Sequence, residues 1–269
     1  MTILVTGATG AVGRHVVREL LERGQQVRAM TRNPAKAAFP AEVEVVQGDL
    51  TDLASFAAAL EGVRAVHLID VSGDDYTPLR NGEEIVQLLA GRKVTLLSSW
   101  GEGTLEPALR ASDLDWAYIQ PTEFMSNALA WAEPVRKHNR IEEAFASTKT
   151  VMVHEGDIGA VIAVVLTSDG HTGRSYGLTG GERLDIPAKV RLLGEAIGRE
   201  IEFVELTVDQ LREKYRREGV PEHMVDFQIR VFGEVAEDAY QPSSTVQDLT
   251  GRPPRTFAQW AAENADAFR

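Results

Sequence analysis

Three glycines at three-residue spacing, Gly7, Gly10 and Gly13, are the residues of this sequence whose type and placement most directly imply chemistry. They follow an apolar run, Ile3-Leu4-Val5, and open a segment in which Val16, Val17, Leu20 and Leu21 share one helical face. A glycine turn between a buried strand and a helix start is a phosphate cradle. One glycine permits the tight turn, the next lets backbone approach a pyrophosphate, and the third lets the helix pack on the strand. The unpaired N–H groups and the positive dipole end of the helix then face the anion. Gly7, Thr9, Gly10, Ala11, Val12 and Gly13 are therefore the expected phosphate-binding residues.

A second informative position closes the next strand, Val27 to Met30, where the chain reads Thr31-Arg32-Asn33-Pro34. A carboxylate there would accept hydrogen bonds from a ribose 2′-hydroxyl and repel a 2′-phosphate. Arg32 instead offers a guanidinium fork suited to a phosphate dianion. With Thr31 beside it, this favours NADP(H), with NAD(H) as the alternative.

These residues need a sheet to carry them. Strands are expected at Val43–Val46, Arg64–Ile69, Lys93–Leu97 and Trp116–Ile119, alternating with helices that end near Leu60, Leu89 and Ala111. That alternation implies a doubly wound parallel sheet of the α/β class. Ligands of such sheets bind beyond the strand C-termini. The expected ligand-facing residues there are Asp49 and Leu50 for the adenine, Ile69 and Asp70, Ser98, and Pro121. Trp100, Phe124, Met125 and Trp131 could line a flat aromatic pocket or simply pack a core. His67, inside the fourth strand, reads as a packed core residue. After about residue 127 the rhythm changes. Further strands are expected at 150–153 and 173–179, and a buried helix capped by Asp157 at 158–166. A helix with Pro187 just inside it and mostly helical sequence over 222–238 and 257–268 follow. The expected division is a nucleotide-binding domain over 1–127 and a smaller, mostly helical lobe over 128–269, with parts of 150–180 returning to the sheet.

Composition excludes several functions. The 28 basic and 40 acidic residues give a net charge of −12, with no basic surplus for nucleic-acid phosphates. The chain has no cysteine, hence no disulfide framework and no thiolate nucleophile. Its six histidines lack metal-ligand spacing, so no metal site is expected. Neither a basic-apolar leader nor a spanning apolar run is evident, so the sequence predicts a cytoplasmic protein without membrane contact, monomeric or homodimeric.

Several segments together resemble the NmrA-like branch of the atypical short-chain dehydrogenase/reductases. They are Thr6–Gly13, Thr31–Pro34, Gly48–Leu50, Ser98-Ser99, Leu109–Trp116 leading into Gln120-Pro121, Glu155–Ile158, Tyr176–Gly180 and Thr250–Phe257. The resemblance spans essentially the whole chain. It implies a Rossmann fold and NAD(P)(H) binding, and a family that includes quinone reductases and dye reductases. The same family includes tailoring enzymes of aromatic polyketide pathways and non-catalytic cofactor-sensing regulators. One departure bears on mechanism. The superfamily's Tyr-x-x-x-Lys acid pair is absent, since the five tyrosines are followed four residues later by Arg80, Thr122, Gly180, Gly219 and Ser244. The expected activity is hydride transfer from NADPH to a planar aromatic or quinone-like small molecule. An acceptor of that kind needs no enzymatic acid. Ser99 then orients the substrate, because an unactivated hydroxyl is too weak an acid to protonate it near neutrality.

Overall fold

The computed structural model describes residues 1–73, 77–98, 103–233 and 241–269, which fall into two compact units. The first comprises 1–122, 155–178 and 245–252; the second comprises 123–154, 179–244 and 253–269.

The first unit is built on a seven-stranded sheet. Its strands are β1 (Thr2–Val5), β2 (Gln26–Thr31), β3 (Glu44–Gln47), β4 (Ala65–Ile69), β5 (Lys93–Leu97), β6 (Asp115–Pro121) and β7 (Arg174–Leu178). Their spatial order is β7-β6-β5-β4-β1-β2-β3, and every neighbouring pair is parallel. All strand C-termini therefore share one edge. The order reverses at β1, where the crevice between β1 and β4 forms the topological switch point. The helices of this unit are α1 (Gly13–Glu22), α2 (Leu53–Ala59), α3 (Gly82–Leu88), α4 (Leu105–Arg110), α5 (Glu155–Thr167) and α6 (Thr245–Thr250).

Side chains alternate across the strands. Leu4, Val66, Leu68, Val94, Leu96 and Tyr118 join Phe56, Ile85, Leu89, Leu105 and Leu109 in one buried cluster. Each such fully buried side chain contributes roughly 1.5–3 kcal/mol relative to exposure. α1 and α5 pack on one another. Strand α-helix assignments expected from sequence hold for β1 to β6, with two changes nearby. The helix that ends near Leu89 begins at Gly82 and not at Pro78, because Thr77–Pro78 pairs antiparallel with Val71–Ser72. α5 begins at Glu155, so Asp157 lies within its first turn and does not cap it. Residues 155–163 are buried throughout.

Glu19 of α1 departs from simple amphipathic expectation. It is buried, and its carboxylate pairs with Arg252 at 3.2 Å and Arg18 at 3.8 Å. Arg252 follows α6, so a partner from 233 residues later satisfies a charge that burial alone would penalise.

The second unit is held by two short parallel pairs. Glu123–Phe124 pairs with Met152–Val153, and Arg140–Glu143 pairs with Glu202–Glu205. Its helices are Ala132–His138, Ile186–Ile197, Val208–Arg217, Glu222–Gly233 and Phe257–Glu263. Asp185 caps the second of these, its carboxylate accepting the backbone Ala188 N–H, with Pro187 in the first turn. Phe257, Trp260 and Phe268 pack with Val135, Ile141, Val190 and Leu193 as its core. Of the strand expected at 150–153, only Met152–Val153 enters a ladder; Thr150 forms an isolated bridge with Leu184. No helix among the described residues is long and apolar enough to cross a membrane.

Candidate functional site

The glycine turn has the geometry its spacing implies. Gly7 takes a positive φ of 58°, which only glycine adopts freely, and its carbonyl accepts the Gly10 N–H at 2.9 Å. A Cβ on Gly13 would stand 2.1 Å from the Gly7 oxygen, so the helix start and the strand end approach too closely for any side chain. α1 begins here with Val12 as its flanking residue, no side-chain cap and no acidic residue in the first turn. Neither a capping side chain nor an acidic residue of its own first turn competes with an anion for its leading N–H groups. Thr9 and Gly10 are exposed, Ala11 is half-buried and Val12 is buried.

The neighbouring strand ends assemble around this turn. The Thr6 hydroxyl donates to the His67 carbonyl at 3.0 Å and accepts the Ile69 N–H at 3.1 Å, clamping β1 to β4. Ile69 consequently lies against Gly7, its Cδ1 2.9 Å from where a Cβ on that glycine would stand. Asp70 beside it is buried. At the other flank the Gly48 N–H donates to the Thr31 carbonyl at 3.1 Å, joining the ends of β2 and β3. Arg32, which follows Thr31, is exposed, and Asp49 follows Gly48. One Asp49 oxygen accepts from both the backbone and the hydroxyl of Thr51, each at 2.8 Å. Leu50 is only 5% exposed and belongs to the core cluster, leaving little of it for a ligand's face.

Ser98 directly follows β5 and donates its N–H to the Ile119 carbonyl. Its hydroxyl is buried and has no hydrogen-bond partner among the described residues. A native protein seldom leaves such a group unsatisfied without a ligand or water to meet it. Pro121 is buried at the end of β6. The close-packed cradle and the orphaned Ser98 hydroxyl both lie at the C-terminal edge, and together they fit a dinucleotide. Ser99 and Trp100 lie outside the described residues.

His67 sits within β4 as a packed core residue. Nδ1 bonds Thr95 Oγ1 at 2.9 Å, and complete burial pushes its pKa down to about 3. A larger groove of about 440 Å³ opens at the opposite edge of the sheet, by the N-termini of β4 and β5. Its walls mix Arg64, Arg92 and Lys93 with Asp113 and Asp115, so no single ligand charge is matched there.

In the second unit, Phe124 is half-buried and Met125 is 2% exposed. Trp131 donates its indole N–H to Glu143 at 3.0 Å, and Lys214 stands 3.7 Å from the same carboxylate. Burial raises the Glu143 pKa, with Lys214 and the indole opposing that shift.

Sequence reasoning missed a cluster next to Met125. The Thr150 hydroxyl donates to Glu123 at 2.6 Å, while Lys189 donates to that hydroxyl at 2.8 Å from 4% exposure. Desolvation lowers the Lys189 pKa, and Glu123 and Asp185 oppose it. A signal existed: Lys189 precedes the buried Leu193 by one helical turn, which puts a lysine on the apolar face.

Comparison with known proteins follows the same lines. Residues 7–98 match the family described as NAD(P)H-binding. The chain is 34% identical to the (4-alkanoyl-5-oxo-2,5-dihydrofuran-3-yl)methyl phosphate reductase of Streptomyces griseus, over 99% of each chain. It is 30% identical to the NAD(P)H azoreductase of Xenophilus azovorans, also over 99% of each. Among solved structures, the NADPH complex of an Escherichia coli NADPH-dependent quinone oxidoreductase superposes with a TM-score of 0.79. That protein is 24% identical, with 97% of this chain and 99% of that one covered, and it corroborates the fold. By whole-length relationship and by fold, the chain belongs to the NAD(P)H-binding, NmrA-like family of atypical short-chain dehydrogenase/reductases and is an NAD(P)H-dependent oxidoreductase.

Proposed function

We propose that this protein transfers hydride from NADPH to a planar, electron-poor conjugated small molecule, with quinone-like aromatics as the leading class. The observation that carries this reading is the glycine cradle at the switch point. There the Gly7–Gly13 turn and the uncapped start of α1 suit a pyrophosphate. Arg32 in place of an acid supports NADPH over NADH through a charge-assisted contact with the 2′-phosphate.

When bound, the reduced nicotinamide supplies the hydride. In this reading the chain's own residues do the rest. Backbone N–H groups of residues 9–13 bind the phosphates, Asp49 meets the adenine, and Ile69 and Pro121 wall the dinucleotide. Ser98 hydrogen-bonds it, and Ser99 orients the acceptor. Trp100, Phe124, Met125 and Trp131 supply aromatic and thioether surface for a flat substrate. We assign cofactor binding to residues 1–127 and substrate choice mainly to 128–269. The names of the two relatives support the acceptor class, since an azo compound and an oxo-dihydrofuran are both conjugated electron acceptors.

The test is loss of reduced-nicotinamide absorbance across quinones, azo dyes and conjugated lactones, with NADPH and NADH compared. Turnover of at least one class with NADPH preferred is expected. Tight NADPH binding without turnover of any of them overturns the reading and favours a cofactor sensor.

A further inference from the structure

Arg183 is the one half-buried arginine with no hydrogen-bond or ion-pair partner among the described residues. Arg28, Arg92, Arg140, Arg212 and Arg255 are half-buried too, and each is engaged. Arg183 Nε is shut off from solvent with nothing to bond, while its terminal nitrogens stay accessible. Taking a charge partly out of water costs free energy that a counter-charge normally offsets. Acids are not scarce in a chain with 40 acidic residues against 28 basic ones. Those beside Arg183 in sequence are committed elsewhere. Glu182 accepts the Phe257 N–H at 2.8 Å, and Asp185 accepts the Ala188 N–H at 2.9 Å. Thr150, which bridges Leu184, gives its hydroxyl to Glu123 at 2.6 Å.

The backbone that carries Arg183 is pinned. Leu184 and Thr150 exchange both backbone hydrogen bonds at 3.0 Å, forming an antiparallel bridge directly after the arginine. With the carboxylates of Glu182 and Asp185 bonded on either side, residues 182–185 have little freedom left to lose on binding. Lys149 precedes Thr150 on the other strand of the bridge. It is exposed and likewise has no partner among the described residues. Both cations belong to the second unit. The geometry points to an anion subsite on this unit, in which Arg183, with Lys149 across the bridge, takes a phosphate monoester or a carboxylate. The planar guanidinium fork matches two oxygens of such a group, and the ammonium adds a point charge. Two sources carry that chemistry, an anionic substituent on the acceptor and a separate small anion. The subsite itself stands on burial and charge within one unit and is independent of hydride transfer.

The experiment titrates phenyl phosphate and benzoate into NADPH-saturated protein by calorimetry, so that the glycine cradle is already filled. Saturable binding of at least one probe is expected. Arg183→Gln should weaken it at least about tenfold, the scale of one charge-assisted contact. Arg183→Lys should recover part of the affinity, since it keeps the charge and loses the fork. Arg230→Gln removes an exposed charge of the same unit, also without a partner among the described residues, and is expected to change nothing. An equal loss in Arg230→Gln overturns the subsite, as does wild-type affinity in folded Arg183→Gln or the absence of saturable binding. Arg183→Gln should also unfold at a Tm no lower than wild type, because the lost charge had no partner. A Tm far below wild type in both Arg183→Gln and Arg183→Lys assigns the arginine to the fold and overturns the subsite. The source is read from a naphthoquinone with and without a phosphate monoester. A KM raised about tenfold by Arg183→Gln for the phosphorylated acceptor alone places the anion on the acceptor. Unchanged KM for both, with phenyl phosphate binding lost, assigns it to a separate anion. Turnover of neither, with phenyl phosphate binding intact in wild type and lost in Arg183→Gln, overturns hydride transfer and leaves the subsite standing.

Discussion

A Cβ placed on Gly13 would meet the carbonyl oxygen of Gly7 at 2.1 Å, and the Ala8 Cα at 2.8 Å. Both obstacles are backbone, so no rotamer change relieves them. Gly13→Ala is expected to push α1 away from β1, costing about 1–3 kcal/mol of stability through overpacking. NADPH affinity should fall with it, because the N–H groups that face the phosphates move. Thermal unfolding with and without NADPH measures both effects; a variant with wild-type Tm and affinity would contradict the close approach.

Arg32 is exposed at the end of β2, where the adenosine ribose of a bound dinucleotide is expected. Arg32→Asp removes a charge-assisted contact of about 1.5–3 kcal/mol and adds repulsion. The ratio of NADPH to NADH affinity should drop tenfold or more by titration. An unchanged ratio would remove Arg32 from the 2′-phosphate.

Ser98 carries a buried hydroxyl with no partner among the described residues. Leaving such a group unsatisfied costs about 1–3 kcal/mol. Ser98→Ala should therefore leave the cofactor-free protein at least as stable as wild type in urea. The same variant should bind NADPH more weakly by calorimetry. Loss of stability without loss of affinity would show that the hydroxyl serves the fold instead.

His67 is fully buried and its pKa is pushed from 6.5 down to about 3 by desolvation. The unfolded chain binds this proton below about pH 6.5 and the folded chain does not, so stability falls as pH drops through that window. Between about pH 7 and pH 5 this one residue should cost about 2 kcal/mol. Urea titrations of wild type and His67→Leu at both pH values isolate the slope. The variant loses the Thr95 bond at neutral pH but should show the shallower acid dependence.

The sequence by itself determined the parts whose physics is local. Glycine spacing between an apolar strand and an amphipathic helix specifies the turn at Gly7–Gly13, because both flanking elements lie within a few residues of it. The alternation of strands and helices through β6 was legible for the same reason, as each apolar run meets its turn signals nearby. Even the core role of His67 followed from its place inside a buried strand.

Tertiary structure alone decided the rest. The pairing of Arg140–Glu143 with Glu202–Glu205 joins segments some sixty residues apart, and neither carries a strong strand pattern. The ion pair of Glu19 with Arg252 bridges 233 residues, so no local window could mark that glutamate as buried. Ser98 reads as one polar residue among several until its hydroxyl is seen without a partner. Glu123, Thr150 and Lys189 are separated by 27 and 39 residues, and only the lysine, placed on the apolar face of its helix, is marked in its own segment. Their hydrogen-bonded chain exists only because the fold removes water from the lysine and leaves the threonine hydroxyl as its partner.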